Sequence, residues 1–302
     1  MSQKQWTGVL ACRVLDLRDL YGAVFADVAP QITLLTPEEV TNPESVDFVL
    51  SWAPPKDAFT PYPNLRGIFS IAAGMDAIMA CPSRPKDVPV FRVEDPDQAA
   101  QMAGFAAFHI IWHHRKMRQY LEDQTHEIWN RPNSGRSPAK VRVGVMGFGF
   151  MGRAVARGAA ALGYSVATLS RSMPAEPEAG MVHFVDADRS DFLARTDILV
   201  NVLPMTPATK GLFDADLFSA LPNGAAFIHL GRGRQLDDAA LLAALDSGQL
   251  SGASLDVFAP EPLLPGHPFW SHPKIFVTPH TASEAEPTAV AANVVKHLSA
   301  MG

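Results

Sequence analysis

Three side chains suited to proton transfer and anion binding stand directly after apolar runs in the second half of the chain. His280 closes FVTPH, Glu261 lies between Pro260 and Pro262 in SLDVFAPEPLL, and Arg232 lies between Gly231 and Gly233 in FIHLGRGRQL. Short apolar runs stopped by Pro or Gly read as buried strands, and open α/β sheets place their chemistry beyond the carboxyl ends of strands. An imidazole there gives and takes a proton near neutral pH, and a guanidinium grips a carboxylate through parallel donors. A carboxylate stiffened by flanking prolines can hold the imidazole in place. Each residue alone has a plain reading, as surface cation, solvated loop acid or packed histidine. All three at strand ends point to one site.

A fourth strand end carries glycines. GVMGFGFMGRAVARGAAALG spaces Gly147, Gly149 and Gly152 as G-x-G-x-x-G between an apolar strand and an Ala-rich helix. In that setting the pattern holds a dinucleotide diphosphate at the helix N-terminus. Gly147 serves the tight turn, Gly149 the close approach of backbone to diphosphate, and Gly152 the packing of helix on strand. The next strand, SVATLSRSMP, ends in Ser170, Arg171 and Ser172. An acid at that place would bind the ribose 2′-hydroxyl of NAD(H) and repel a 2′-phosphate, whereas a guanidinium and two hydroxyls suit the phosphate. The expected cofactor is NADP(H), with NAD(H) as second choice; a plain solvated turn is the other reading of Arg171.

These residues need a scaffold. From 141 onward VRVGVMG, SVATLS, DILVNVL, AAFIHLG, SGASLDVF and IFVTP alternate with helical stretches, the pattern of a parallel sheet covered on both faces. Earlier, GVLACRV, QITLL, VDFVLSW, LRGIFSI and VPVFRV read as strands of a smaller sheet, with a helix over LDLRDLYGAVFADVAP. Residues 94–129 read as the longest helix, apolar nearly all round at AGFAAFHIIW and so buried on more than one side. NRPNSGRSPAK (130–140) reads as a linker. The last helix, EAEPTAVAANVVKHLSAM, is expected to fold back on the first sheet. The division is then 1–96 with 284–302 as a substrate domain and 97–283 as an NAD(P)-binding domain.

With 302 residues, 47% apolar and 19% charged, the chain is long enough for two domains of ordinary globular composition. A net charge of −6 argues against nucleic acid or an anionic membrane as the main partner. Two cysteines and no spanning-length apolar run lead to the expectation of a cytoplasmic protein. His109 and His113 are four residues apart on the long helix but lack a third ligand, so no metal is expected.

The series GFGFMG, VLPMTPATKGLF, LGRGRQLDDAALLAAL, SGASLDVFAPEPL and VTPHTA resembles the D-isomer-specific 2-hydroxyacid dehydrogenase family over essentially all of 141–282. VLSWAPP, LRGIFSIAAGMDAIM and FRVEDPDQAAQM resemble its glyoxylate and hydroxypyruvate reductase branch. The resemblance implies two Rossmann-like domains, the smaller one flavodoxin-like, with a cleft that closes between them. It also implies NADPH-dependent reduction of small 2-oxo acids. Arg232 would bind the substrate carboxylate, His280 would donate the proton, and Glu261 would orient the imidazole and raise its pKa. The amides of Ala72, Ala73 and Gly74 would grip the carboxylate, and Trp52 would line the pocket. Phe150, Met151, Leu203, Pro204, Thr209, Gly231 and Asp256 join the glycines and Ser170–Ser172 as cofactor residues, Asp256 at the nicotinamide amide. A homodimer formed through the cofactor domains is implied, with Trp129 reaching the partner or packing on its own subunit.

Three departures from the family pattern stand out: His229 and Gly231 in IHLGRG, the acidic SEAEP after VTPHTA, and a chain end at Gly302 soon after the final helix. Alternatives are a phosphoglycerate- or formate-type dehydrogenase of the same family and a non-catalytic dinucleotide-sensing protein.

Overall fold

The computed structural model describes residues 4–131 and 137–301. The middle of the expected linker at 130–140 lies outside them. Contacts divide the chain into two units, Met1–Gln98 with Glu284–Gly302, and Ala99–Ser283.

The first unit runs β1 (Trp6–Cys12), α1 (Leu17–Val28), β2 (Ile32–Leu35), β3 (Phe48–Trp52), β4 (Gly67–Ser70), α2 (Asp76–Met79) and β5 (Val90–Phe91). The sheet order is β2-β1-β3-β4-β5 with every pairing parallel, a flavodoxin-like winding. Asp16 starts α1 by accepting from the Arg18 and Asp19 amides, and Leu17, Tyr21 and Phe25 recur every fourth residue to form its buried face.

The second unit begins with α3 (Pro96–His114) and α4 (Met117–Thr125). The stretch expected as one helix is thus two, broken at Lys116, which takes the left-handed conformation with φ 52° and ψ 45°. The break falls where the apolar stripe ends and basic side chains gather, so packing no longer favours a single axis. Within the single chain α3 is not buried all round either: Ala106 and Ile110 are buried, whereas Phe108 is 50% exposed and Ile111 38%.

Next come β6 (Arg142–Met146), α5 (Phe150–Ala161), β7 (Ser165–Ser170), β8 (Val182–Val185), α6 (Arg189–Ala194), β9 (Ile198–Asn201) and α7 (Ala215–Ser219). They are followed by β10 (Ala225–His229), α8 (Asp238–Ser247), β11 (Leu250–Leu255) and β12 (Ile275–Val277). These seven strands form a second parallel sheet in the order β12-β11-β10-β9-β6-β7-β8. Strand order reverses between β6 and β9, the switch point at which doubly wound sheets bind dinucleotides. Alternate residues feed two cores: Leu199, Phe227 and Leu255 enter one, and Val200, Ile228 and Val143 the other. The strands therefore read as continuous apolar runs. β8, short and at the edge, is the strand that hydrophobicity alone did not reveal.

The chain then returns to the first unit as α9 (Pro287–Met301), whose Val290, Ala291, Val294 and Leu298 join Tyr21 and Phe25 of α1 in one core.

Candidate functional site

Register aligns the candidate residues. One row crosses the second sheet through Phe184, Leu169, Met146, Asn201, His229, Leu255 and Val277, from β8 to β12. Just beyond that row lie Ser170–Ser172, the glycine turn, Leu203–Pro204, Arg232, Asp256–Glu261 and His280. At roughly 4.8 Å per strand, the β10 and β12 ends that carry Arg232 and His280 stand about 10 Å apart.

The three glycines of the turn differ in what a side chain would meet. Gly147 has φ +101°, and a Cβ on Gly152 would stand 1.9 Å from the Gly147 carbonyl oxygen, so both must be glycine for the fold itself. A Cβ on Gly149 would meet nothing within 4 Å. Gly149 is also the N-cap of α5 and offers no side chain to its first amides. The fold needs glycine at two positions and leaves open space at the third, over unfilled helix donors. A diphosphate fits that arrangement. Phe150 and Met151, both half-buried, form the first turn of α5.

At the end of β7, Arg171 and Ser172 are exposed. The Ser170 hydroxyl donates to the Ser172 carbonyl at 2.7 Å, so it shapes the turn and its proton is committed there. The loop that follows is tied down by Glu178, a residue the sequence reading missed. Its carboxylate accepts from Arg153 and Arg157 of α5, each at 2.7 Å, and its amide donates to His183 Nε2 at 3.0 Å. The Arg157 and Arg153 hydrogen bonds hold the Glu178 carboxyl below its usual range. Thr209, after β9, closes its own turn: its hydroxyl accepts from the Thr206 amide and donates to the Pro204 carbonyl, both at 2.8 Å.

His280 and Glu261 meet. His280 Nδ1 lies 2.8 Å from Glu261 Oε2, and Glu261 Oε1 accepts from the Phe258 amide at 2.9 Å. Burial pushes the Glu261 carboxyl up, but the His280 and Phe258 hydrogen bonds and the charges of His280 and Arg232 outweigh it and hold the pKa below the usual value. Both peptide bonds Ala259–Pro260 and Glu261–Pro262 are cis. His280 itself has φ 56°, a left-handed backbone that costs a non-glycine residue on the order of 1–3 kcal/mol. Asp256 braces that conformation. Its Oδ1 accepts from the Thr278 hydroxyl at 2.7 Å and the Thr281 amide at 2.9 Å, and its Oδ2 from the Ala282 amide at 3.1 Å. Asp256 is only 1% exposed, and burial raises its carboxyl pKa against these bonds. The residue expected at the nicotinamide amide thus has three of its acceptor positions engaged by the histidine loop.

Arg232 is half-buried, and its Nη1 donates to the Gly231 carbonyl at 2.8 Å. In the first unit, the Ser70 hydroxyl accepts from the Ala72 amide at 3.2 Å and donates to the Gly74 carbonyl at 2.8 Å. Of the three amides expected to grip a carboxylate, Ala72's is therefore engaged, leaving those of Ala73 and Gly74. Trp52, half-buried at the end of β3, packs beside the core of its unit. His109 lies among Phe105, Phe108 and Phe276, and His113 Nε2 bonds the Ser254 hydroxyl at 2.8 Å. Among the described residues no three His, Cys, Asp or Glu side chains gather as a metal site would require, and no helix is long and apolar enough to cross a membrane.

A doubly wound sheet with a glycine cradle at its switch point and an imidazole–carboxylate pair on the same edge defines a dinucleotide-dependent oxidoreductase. The pattern of the D-isomer specific 2-hydroxyacid dehydrogenase NAD binding domain matches residues 107–282, and the chain belongs to that family. The glyoxylate/hydroxypyruvate reductase A of Yersinia enterocolitica is 35% identical over 264 residues, 85% of this chain and 83% of that protein. A D-isomer specific 2-hydroxyacid dehydrogenase from Xanthobacter autotrophicus Py2, solved with NADPH and MES, superposes with a TM-score of 0.92 at 34% identity, covering 98% of this chain and 94% of that one. The NADPH-dependent glyoxylate/hydroxypyruvate reductase of Sinorhizobium meliloti, solved with NADP and sulfate, gives a TM-score of 0.90 at 32% identity, covering 98% and 95%.

Proposed function

We propose that this chain reduces small 2-oxo acids, glyoxylate and hydroxypyruvate among them, with NADPH. The observation that carries this reading is the 2.8 Å contact between His280 Nδ1 and Glu261 Oε2, on the strand edge that also presents Arg232. Gly147, Gly149, Phe150, Met151 and Gly152 would hold the diphosphate, and Arg171 and Ser172, on the turn shaped by Ser170, the 2′-phosphate. Leu203, Pro204, Thr209, Gly231 and Asp256 would flank the nicotinamide. When bound, the nicotinamide supplies the hydride that reduces the carbonyl carbon.

This chain's own residues do the rest. Arg232 pairs with the substrate carboxylate and draws electron density from the neighbouring carbonyl. Glu261 accepts from His280 Nδ1–H, which fixes the ring and leaves Nε2 as the atom that passes its proton to the carbonyl oxygen. In the reverse direction Nε2 takes that proton back. Trp52 and the amides of Ala73 and Gly74 are the proposed substrate contacts of the first unit. The absence of an acid at 170–172 and the NADPH- and NADP-bound neighbours support the choice of cofactor.

Nicotinamide oxidation followed with both acids, and with NADPH and NADH side by side, tests the proposal. Faster turnover with NADPH, abolished in His280→Ala, is expected, and Arg171→Ala should shift preference towards NADH. Tight NADPH binding with no turnover of any 2-oxo acid would favour the sensing protein instead. The exposed Phe108 and Ile111 of α3, with Trp129 at 93% exposure, support a homodimer that covers them. Sedimentation velocity should give twice the chain mass for the wild type and a single chain for Phe108→Glu.

A further inference from the structure

Beneath Arg232 lie three polar side chains that have left water. Asn201, His229 and Gln235 are each 0% exposed, so the hydrogen bonds they make are made to protein atoms, and His229 Nε2 meets no partner there. The Arg232 amide donates to Gln235 Oε1 at 2.9 Å, and Gln235 Nε2 donates to the carbonyls of Leu203 at 3.2 Å and Pro204 at 3.0 Å. Those partners fix the orientation of the Gln235 amide. The Leu203 amide donates to Asn201 Oδ1 at 2.9 Å, which makes Asn201 Nδ2 the donor to Gln235 Oε1 at 2.8 Å and to His229 Nδ1 at 2.9 Å. His229 Nδ1 is then an acceptor, and the neutral ring carries its proton on Nε2. Burial agrees, driving the His229 pKa down to about 3. The Gln235 backbone adds a bond from its amide to the Arg232 carbonyl at 3.0 Å.

Gly231 belongs to the same construction. A Cβ there would stand 2.3 Å from Gln235 Oε1 and 2.5 Å from Asn201 Nδ2. A side chain at 231 and this network exclude each other. His229 and Gly231, one of the departures from the family pattern, are parts of one device beneath the arginine.

We propose that Gln235, working with Asn201 and His229, is the positioning residue that holds Arg232 and the Leu203–Pro204 strand end in register. The inference rests on reading Arg232 as the carboxylate grip. Gln235 touches neither reacting atom; it joins the ends of β9 and β10 through one amide, so the guanidinium and the nicotinamide wall move together or not at all.

Gln235→Met keeps length and volume while removing both the acceptor and the donor. Displacing Arg232 by about 1 Å should lower kcat/KM for the oxo acid on the order of 10²-fold, mainly through KM. NADPH affinity, set mainly by the glycine cradle and Arg171, should change far less than KM, and Tm should drop by a few °C because the Arg232 amide loses its Gln235 acceptor. Hydrogen exchange provides a readout independent of turnover: the peptide over 230–236 should lose protection in the variant while the strands keep theirs. Gly231→Ala, which intrudes on Gln235 from the other side, should raise KM in the same direction, and the losses in the double variant should not multiply. Wild-type KM in both variants, unchanged exchange over 230–236, or a loss of NADPH affinity as large as the rise in KM would each overturn the proposal. A wild type that reduces no 2-oxo acid would instead remove the reading of Arg232, and the exchange data would still decide whether Gln235 holds the loop. If Gln235→Met does not fold, Gly231→Ala carries the same test.

Discussion

At the residue scale, the central unit is His280 with Glu261. Glu261→Gln is informative because it preserves shape and changes only the chemistry of the pair. The Phe258 amide demands an oxygen, so the new NH2 has to face His280 Nδ1. Two donors cannot share that contact, and the ring must then put its proton on Nε2 and accept through Nδ1. The carboxylate that accompanies the protonated ring is lost as well. Turnover should fall by about 10²–10⁴-fold with KM for the oxo acid changed far less, which steady-state kinetics with both acids would measure. Turnover near the wild-type value in Glu261→Gln, or a loss carried by KM rather than kcat, would contradict the assigned role. The types and spacing of Arg232, Glu261 and His280 were legible in the sequence because Pro and Gly punctuate strand ends. The backbone of His280 was not, since a left-handed φ at a histidine depends on the Asp256 brace, whose partners Thr278, Thr281 and Ala282 come from another strand end.

At the element scale, the turn from β6 into α5 separates two glycines that the fold requires from a third, Gly149, that it does not and that we propose serves the dinucleotide. Gly152→Ala would drive a methyl to within 1.9 Å of the Gly147 carbonyl oxygen, so α5 must lift from β6. A loss of several °C in Tm should accompany the loss of dinucleotide binding, because backbone cannot yield cheaply. Gly149→Ala meets no atom within 4 Å. Its Tm should stay near the wild-type value while NADPH affinity, measured by nicotinamide fluorescence, falls. Equal effects of the two substitutions on both quantities would refute this division of labour. Most elements were readable from apolar periodicity, and the parallel sheet from the regular alternation of strand and helix. Two features escaped for physical reasons. β8 is an edge strand with intermediate and exposed residues, so it carries little hydrophobic signal. The break at Lys116 follows from α3 losing its packing surface, which a propensity reading along one chain does not contain.

At the scale of the whole molecule, buried histidines tie stability to pH. His109, 1% exposed among aromatic rings, has its pKa driven by burial to about 4, and His229, 0% exposed, to about 3. His113, lowered to about 3 by burial and by the neighbouring His109, acts with them. In the unfolded chain all three titrate near 6.5. Above that value the folded and unfolded states are both neutral and none of the three affects stability. Below it the unfolded chain binds a proton at each position that the folded chain refuses, so stability falls as pH falls. The window runs from 6.5 down to the folded values, and the slope approaches about 1.4 kcal/mol per pH unit for each histidine. Asp256 and Asp238 carry the opposite sign, because burial raises their carboxyls and the folded state then takes protons more readily. Glu261, whose pKa is lowered, contributes stability that is present above the normal carboxylate value and lost as pH falls through its folded one. The histidines therefore govern the range from pH 6.5 to 5. Urea unfolding at steps across that range should show a steady loss of stability on acidification. His109→Phe keeps an aromatic ring among Phe105, Phe108 and Phe276 and has nothing to protonate, so it should remove one histidine's share of the slope while leaving stability at pH 7.5 little changed. An unaltered slope in that variant would mean that His109 is protonated in the folded protein and that the aromatic cluster admits water.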